Sequence, residues 1–403
     1  MILSCHLFLR FWVRTGSMPH ATFAVVSDLH CRLATAPNDS FLKVGAPRIP
    51  SVRHPVESLL ELVDNEHLTA DVLLAPGDLT NQASREGLEQ GWNFILEIAA
   101  KLGVRAIPVV GNHDIDSHRQ DPDNPPTHMI RTLRRGFPFQ NDAEIHSFFS
   151  EGYCLQQVGD AQLIAINTVI DHTDAASAKR GTFGVPRIEE MERVLRDRMV
   201  SPLRGALMHH HPILHSGPFL RDTDVIATGD ALLDSLRRLG CRFVIHGHKH
   251  ITRLSYVDRI AVLACGSFSA MLHEYGTSVG NTFHLVSIKG DSPDDVRGTV
   301  RTWVFQYGFG WSRSNLRYKG FPYLCGFGRR TPLPEITAAL RAIADAHQTK
   351  SRFSQDELLG TAPDVEFLTP AEREDINREL KEVGLKLDDY DDGHLELWRS
   401  YLP

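Results

Sequence analysis

The sequence predicts an α/β protein in which sheets are covered by helices, and three observations lead there. From residue 22 onward, short apolar runs of strand length alternate with segments of helical periodicity. After about residue 250 the apolar runs follow one another without helices, which points to an antiparallel return. Of 403 residues, 42% are hydrophobic and 23% charged, the make-up of an ordinary globular chain rather than a disordered, collagen-like or membrane-bundle one. A chain of this length can bury a sizeable core without covalent staples.

The expected strands are Phe23–Val26, Val72–Ala75, Ile107–Val110, Leu163–Ile166, Ala206–Met208 and Phe243–Ile245. Helical patterns over Val56–Val63, Leu88–Ala100, Ile188–Met199 and Ala231–Leu239 lie between them. Strands around Ile260–Ala264 and Thr282–Ile288 complete the set. Two long loops, residues 31–55 and 115–143, are rich in Pro, Asn, Asp and Arg, and loops of that length are usually functional or disordered. The second carries Arg131, Arg134 and Arg135, which suit either a phosphate clamp over a site or a solvated basic face.

After about residue 307 the composition changes. Gly and aromatic residues dominate Tyr307–Phe327. Two S/T-x-x-E capping boxes then announce helices, Ser354 with Glu357 and Thr369 with Glu372, the second with Pro370 at the first helical position. The acidic run Asp388, Asp389, Asp391 and Asp392 reads as a solvated face rather than a metal site. These features divide the chain into an N-terminal extension (1–21), a catalytic domain (22–307) and an accessory C-terminal region (308–403). The accessory region could pack on the sheets, form a homo-oligomer interface or bind a partner.

The first 17 residues are apolar but interrupted by Arg10 and Arg14, and they are too short to span a bilayer. Met18 precedes the first strand directly, so an upstream extension is the expectation, with a membrane anchor as the other reading. No other stretch approaches transmembrane length. The chain has 43 Lys and Arg against 50 Asp and Glu, a net charge of −7 with no basic footprint for nucleic acid. Its six cysteines are scattered, which reads as reduced thiols in a cytoplasmic protein.

The 21 histidines are the anomaly, and they cluster at strand ends. Five apolar runs end in turns carrying ligand-type side chains: Asp28-Leu29-His30, Gly77-Asp78, Gly111-Asn112-His113-Asp114, His209-His210-His211-Pro212 and Gly247-His248-Lys249-His250. In open α/β sheets, sites assemble at the carboxyl ends of strands, so five such ends can converge. Asp, Asn and His suit Mn, Fe, Co or Zn rather than a soft thiolate site. Seven candidate ligands exceed the needs of one tetrahedral ion and suit two ions sharing a carboxylate. Gly77, Gly111 and Gly247 are expected to let the backbone bend and come close. The D-x-H and H-x-H spacings are expected to put alternate side chains on one side of an extended turn.

These five motifs in this order resemble the signature of the calcineurin-like metallophosphoesterases, over about residues 22–305. The resemblance implies a four-layer fold, a β-sandwich flanked by helices, and a centre of two divalent or mixed-valence ions (Mn, Fe or Zn). It implies that Asp28, His30 and His250 hold one ion, that Asn112, His209 and His248 hold the other, and that Asp78 bridges them. It places His113 beside them as a general acid or a phosphate contact. Asp114 either orients His113 or caps its turn. Within the triplet, counting from the strand favours His209, whereas counting back from Pro212 favours His210.

The implied reaction is hydrolysis of a phosphoester by a metal-bound hydroxide. The forms D-L-H, G-N-H-D and H-H-H-P are similar to the cyclic-nucleotide phosphodiesterase branch. The Asp-Arg-Gly of protein phosphatases and the Tyr ligand of purple acid phosphatases are absent. A small-molecule phosphodiester is therefore the expected substrate. A phosphomonoesterase or phosphoprotein phosphatase, a nuclease, and a non-catalytic scaffold of the same fold remain the alternatives.

Overall fold

In the computed structural model, the described residues are 18–36, 39–133, 136–172, 174–214, 224–271, 280–315, 320–389 and 393–399. The N-terminal segment 1–17, Arg134, Arg135, Asp391 and Asp392, all singled out above, lie outside them.

Two large sheets form the body. The first runs, edge to edge, Gly310–Arg313, Arg297–Gln306, Asn281–Lys289, His20–Val25, Val72–Ala75, Ala106–Pro108, and Leu324–Phe327 also pairs with Arg297–Gln306. The second runs Arg253–Val257, Ile260–Ala264, Phe243–His246, Leu203–Leu207, Ala161–Ile166, Tyr153–Val158. In the first sheet, His20–Val25, Val72–Ala75 and Ala106–Pro108 are parallel neighbours. In the second, Ala161–Ile166, Leu203–Leu207, Phe243–His246 and Ile260–Ala264 are parallel.

Strand alternation sorts the side chains of the second sheet between two cores. Leu163, Leu207, Phe243, Ile245 and Leu263 point inward to a core shared with the first sheet, where Phe23 and Phe243 meet with ring centroids 5.7 Å apart. Ile164, Ala206, Val244 and Val262 point outward to the helices Val185–Leu195 and Gly229–Arg238. The helices Pro55–Asn65 and Arg85–Leu102 supply apolar faces to the first core. Their ends follow from the sequence: Pro55 is at the first turn of one, and Ser84 caps the other by accepting from Gly87 N at 3.1 Å.

Each expected element overlaps one of these, although the helix expected to reach Met199 ends at Leu195 and the strand expected to reach Val110 ends at Pro108. Five strands of the two sheets were not among those expected: Tyr153–Val158, Gly310–Arg313, Leu324–Phe327, Arg253–Val257 and Arg297–Gln306. The last reads Arg-Gly-Thr-Val-Arg-Thr-Trp-Val-Phe-Gln, with polar side chains on its half-buried face. The first sheet also continues past residue 307, the boundary expected for the catalytic domain. The Gly-rich stretch there is a hairpin turn, with Gly308 and Gly310 at φ 86° and 80°, joining Arg297–Gln306 to Gly310–Arg313.

Beyond it, the helices Leu333–Ala346, Gln355–Thr361 and Pro370–Lys381 surround a separate core with Phe353, Ile376, Leu387 and Leu397. The short strand Arg352–Phe353 and the hairpin Leu385–Asp389/Leu395–Arg399 form its sheet. Both expected capping boxes form, at Ser354/Glu357 and Thr369/Glu372. Among the described residues, no helix is long and apolar enough to cross a membrane.

Candidate metal centre

The parallel strands of both sheets present their carboxyl ends at the same place. Backbone pairing continues past the strands into the turns: Asp28 N donates to Gly77 O at 3.1 Å and His30 N to Asp78 O at 3.0 Å. Gly247 N donates to His209 O at 3.1 Å, which ties two turns of the second sheet together. All five motifs therefore meet.

Asp28, His30 and His250 offer ligand atoms within 4.8 Å of one another, as do Asp28, Asp78 and His209. His30 Nε2 lies 2.9 Å from His250 Nε2, and His250 Nε2 lies 3.4 Å from Asp28 Oδ1. On the other side, Asn112 Oδ1 lies 3.1 Å from His209 Nε2 and 3.0 Å from His248 Nδ1. Asp78 Oδ2 stands between the groups, 3.7 Å from His30 Nε2 and 3.4 Å from His209 Nε2. Asp28, His30, Asp78 and His209 are buried.

The donor set fits cations on its own chemistry. His209 Nδ1 donates to Pro76 O at 2.7 Å. In the neutral ring the lone pair then sits on Nε2, facing the Asp78 carboxylate and the Asn112 carbonyl oxygen. Around the neutral ring three electron-rich atoms converge, and a positive charge, a proton or a metal cation, relieves them. Burial opposes charge on His209, yet Asp78 and Asp28 outweigh it and pull its pKa up to about 9. Burial likewise disfavours the Asp28 carboxylate, but His250 and His30 hold it well below its ordinary range.

The local backbone differs from the extended turn expected of these spacings. Asp28, His30, Asp78, His248 and His250 all have positive φ, at 54°, 49°, 52°, 80° and 56°. Non-Gly residues pay strain there, and such strain gathers at functional sites. The glycines differ too. Gly77 bends, with φ 97°. Gly111 is needed for space instead: a Cβ would lie 2.1 Å from Asp78 Oδ1.

His113 donates its backbone N–H to Asp78 Oδ1 at 2.8 Å, and its ring packs 4.9 Å from that of His30. Its Nδ1 accepts from Gln82 N at 3.3 Å, which leaves Nε2 as the protonated nitrogen. Burial lowers its pKa to about 4. Asp114 accepts from Thr80 N at 3.0 Å and Gly111 N at 2.9 Å, the geometry of a turn-capping carboxylate rather than a His113 partner. Burial pushes its pKa up to about 7.

The triplet divides. His209 faces Asp78, as above. His210 donates from Nε2 to Ala178 O at 2.9 Å, and its Nδ1 accepts from the Thr168 hydroxyl at 2.8 Å, so both nitrogens are spent. The His211 ring stacks on His248 with centroids 5.7 Å apart. Arg131 does not reach the site: it donates to Phe149 O at 3.2 Å and lies over the Phe149 ring.

Four neighbours had no mark in the sequence. Gln82 and Ala83 sit at φ 52° and 53° and bind His113 from its outer side. Thr168 holds His210. His172, buried, packs its ring 5.4 Å from that of His210. A pattern of ligand residues at strand ends could point to His172, since it follows Ala161–Ile166, but its isolated position gave no motif.

No curated protein sequence matches the chain. Among solved structures, it is similar to a dimetal phosphatase from Danio rerio at 11% identity, covering 72% of this chain and 99% of that one, with a TM-score of 0.45. It is similar to the purple acid phosphatase PPD1 from yellow lupin (Lupinus luteus) at 14% identity, covering 71% and 52%, with a TM-score of 0.45. It is also similar to a putative 5'-nucleotidase from Staphylococcus aureus at 15% identity, covering 68% and 51%, with a TM-score of 0.39. The chain thus spans about half the length of the lupin and staphylococcal proteins. Residues 325–382 match the family model described as wHTH-Calcineurin_assc, so the C-terminal region is a wHTH-like accessory region. Residues 21–252, more than half of the chain and including all five motifs, match the model described as Calcineurin-like phosphoesterase, and the chain belongs to that family.

Proposed function

We propose that this phosphoesterase is a metal-dependent phosphodiesterase acting on a small-molecule phosphodiester such as a cyclic nucleotide. The observation that carries the reading is Asp78, whose one carboxylate oxygen stands between two separate sets of N and O donors. Asp28, His30 and His250 would hold one divalent ion, and Asn112, His209 and His248 the other, with Asp78 shared. Mn, Fe and Zn all suit such donors. Ions bound there supply Lewis acidity and neutralise charge on phosphoryl oxygens.

The chain's own residues do the rest. His113 is held with its Nε2–H free to donate to a phosphoryl or leaving-group oxygen, and the Gln82 N–H fixes that tautomer. Of the two roles open to His113, this supports the phosphate contact over the general acid, because the nitrogen that a second proton would occupy already faces a donor. Asp114 keeps the turn that carries Asn112 and His113 in place. The preference for a diester rests on the motif forms, which lack the Asp-Arg-Gly and Tyr of the phosphatase branches. The five described cysteines are buried free thiols, which supports a reducing, cytoplasmic setting.

The test is metal analysis of the purified chain together with turnover of cyclic nucleotides, bis-p-nitrophenyl phosphate, phosphomonoesters and single-stranded DNA. Two metals per chain and faster turnover of diesters than monoesters are expected. Turnover that survives removal of metal, or a clear preference for monoesters or DNA, would overturn it.

A further inference from the structure

A wHTH-like region suggests a module that enters a DNA groove. In helix-turn-helix proteins the recognition helix presents its N-terminal residues to the base edges. Here that helix corresponds to Pro370–Lys381, the third of the region, and its N-terminal turn is already occupied by the edge of the first sheet.

Arg373, 1% exposed, donates to the carbonyl of Leu324, on the strand Leu324–Phe327 that pairs with Arg297–Gln306 of the first sheet. One residue earlier, Glu372 accepts from Arg329 Nε at 2.8 Å and closes the capping box with Thr369. Just before the helix, Gly326 N donates to Leu368 O at 2.9 Å. The contact is tight enough to exclude a side chain: a Cβ at Gly326 would lie 2.5 Å from Glu366 O. Phe367, buried, lies beneath Lys289 and Arg297 of the sheet, at 4.9 Å and 5.0 Å from its ring. Those two cations also pair with Glu366 and Asp364 at 3.6 Å.

The charge is also wrong for a polyanion. Residues 325–382 hold eight Lys and Arg against eleven Asp and Glu. Arg329, Arg330, Lys350, Arg352 and Arg378 are each paired with a carboxylate of this chain. The face that the third helix leaves exposed includes Glu374, Asp375 and Glu379. Phosphate contacts dominate affinity for nucleic acid, and this surface would repel them.

We infer that the wHTH-like region is a permanently docked brace on the edge of the first sheet, and that its third helix recognises this chain rather than nucleic acid. The face that would meet a groove is the face that meets strand Leu324–Phe327. Arg297 and Lys289 lie on the sheet at the end remote from the metal centre, since Lys289 pairs with His20 at the start of its strand, so the brace stabilises without touching the site.

The test uses the full chain. Fluorescence anisotropy with labelled 25-base-pair duplexes of mixed sequence, and with single strands, at roughly 20 and 200 mM salt should show no binding that strengthens as salt falls. Heating should give one transition for the catalytic body and the accessory region together. Phe367→Ala, or the milder Phe367→Leu should the first not fold, should lower that single transition by several degrees while leaving KM unchanged. Salt-sensitive duplex binding that is abolished by Arg378→Glu with Lys381→Glu would overturn the inference. Two separate melting transitions, with the catalytic one unmoved by the Phe367 variants, would overturn it as well.

Discussion

Each side chain at the centre is defined by what its second atom does. His209 and His210 are neighbours of one type, yet one spends Nδ1 on Pro76 O and keeps Nε2 for the Asp78 side, while the other spends both nitrogens. His209→Ala should therefore lose one metal and nearly all activity. His210→Ala should keep both metals but lower stability by about 2–4 kcal/mol, the usual cost of truncating a large buried side chain. Metal content and chemical denaturation of the two variants check this, and the opposite ranking of metal loss would assign the ligand to His210. His113→Ala should keep both metals and lose roughly 10²–10³-fold in kcat, the worth of one well-placed donor. That loss should be similar for good and poor leaving groups, because a donor to phosphoryl oxygen is needed by both. A loss that vanishes with good leaving groups would restore the general-acid role. The motif residues were legible because each sits within a few positions of an apolar strand. Gln82, Thr168 and His172 were not, since nothing local distinguishes them and only the fold brings them to His113 and His210.

Strands that were legible are those buried on both faces. Val72–Ala75 and Ile260–Ala264 are buried throughout and read as continuous apolar runs. Arg297–Gln306 is buried on alternate positions over its first half, and its polar side chains hid it. Asn281–Lys289 is a buried central strand that nonetheless carries a histidine. His284 is 1% exposed, and its Nδ1 bonds to the Thr302 hydroxyl at 2.9 Å on the neighbouring strand. Burial alone lowers its pKa to about 3. In the unfolded chain the same imidazole takes its proton near pH 6.5. The unfolded state thus binds more protons between those values, so the contribution of His284 is whole above about pH 6.5 and is lost as the pH falls toward 3. The loss is on the order of a few kcal/mol. His284→Gln keeps a polar partner for Thr302 but cannot titrate. Urea denaturation at pH 7 and at pH 4.5 should show the wild type losing more stability than His284→Gln. Equal losses would mean that His284 is already protonated in the fold.

Across the molecule, ten non-Gly residues among those described have positive φ, and five of them are proposed metal ligands. The strain lies where two sheets bring their strand ends together, and the carboxylates Asp28 and Asp78 are buried there beside imidazoles. These donors stand together in the folded chain and are dispersed in the unfolded one, so a cation that needs several of them at once binds the fold. Metal that binds the folded chain alone must therefore stabilise it, by about 2.7 kcal/mol at a free concentration one hundred times Kd. A protein of 403 residues shifts by about 1–2 °C per kcal/mol, so stripping the metal should lower Tm by roughly 3–5 °C. Returning Mn, Fe or Zn should restore it in a concentration-dependent manner. Asp78→Asn removes the shared charge while keeping the shape of the side chain. In that variant the amide also places no net anion beside His30 and His209, so the metal-free protein loses the attraction by which Asp78 raises the pKa of both imidazoles. Its Tm should respond to added metal by less than half as much as the wild type does, although its metal-free Tm stays within a few degrees of the stripped wild type. Calorimetry of the two proteins, each with and without metal, measures all four values. An equal metal response in Asp78→Asn would show that the two ions do not share this carboxylate, and that the two donor sets bind independently.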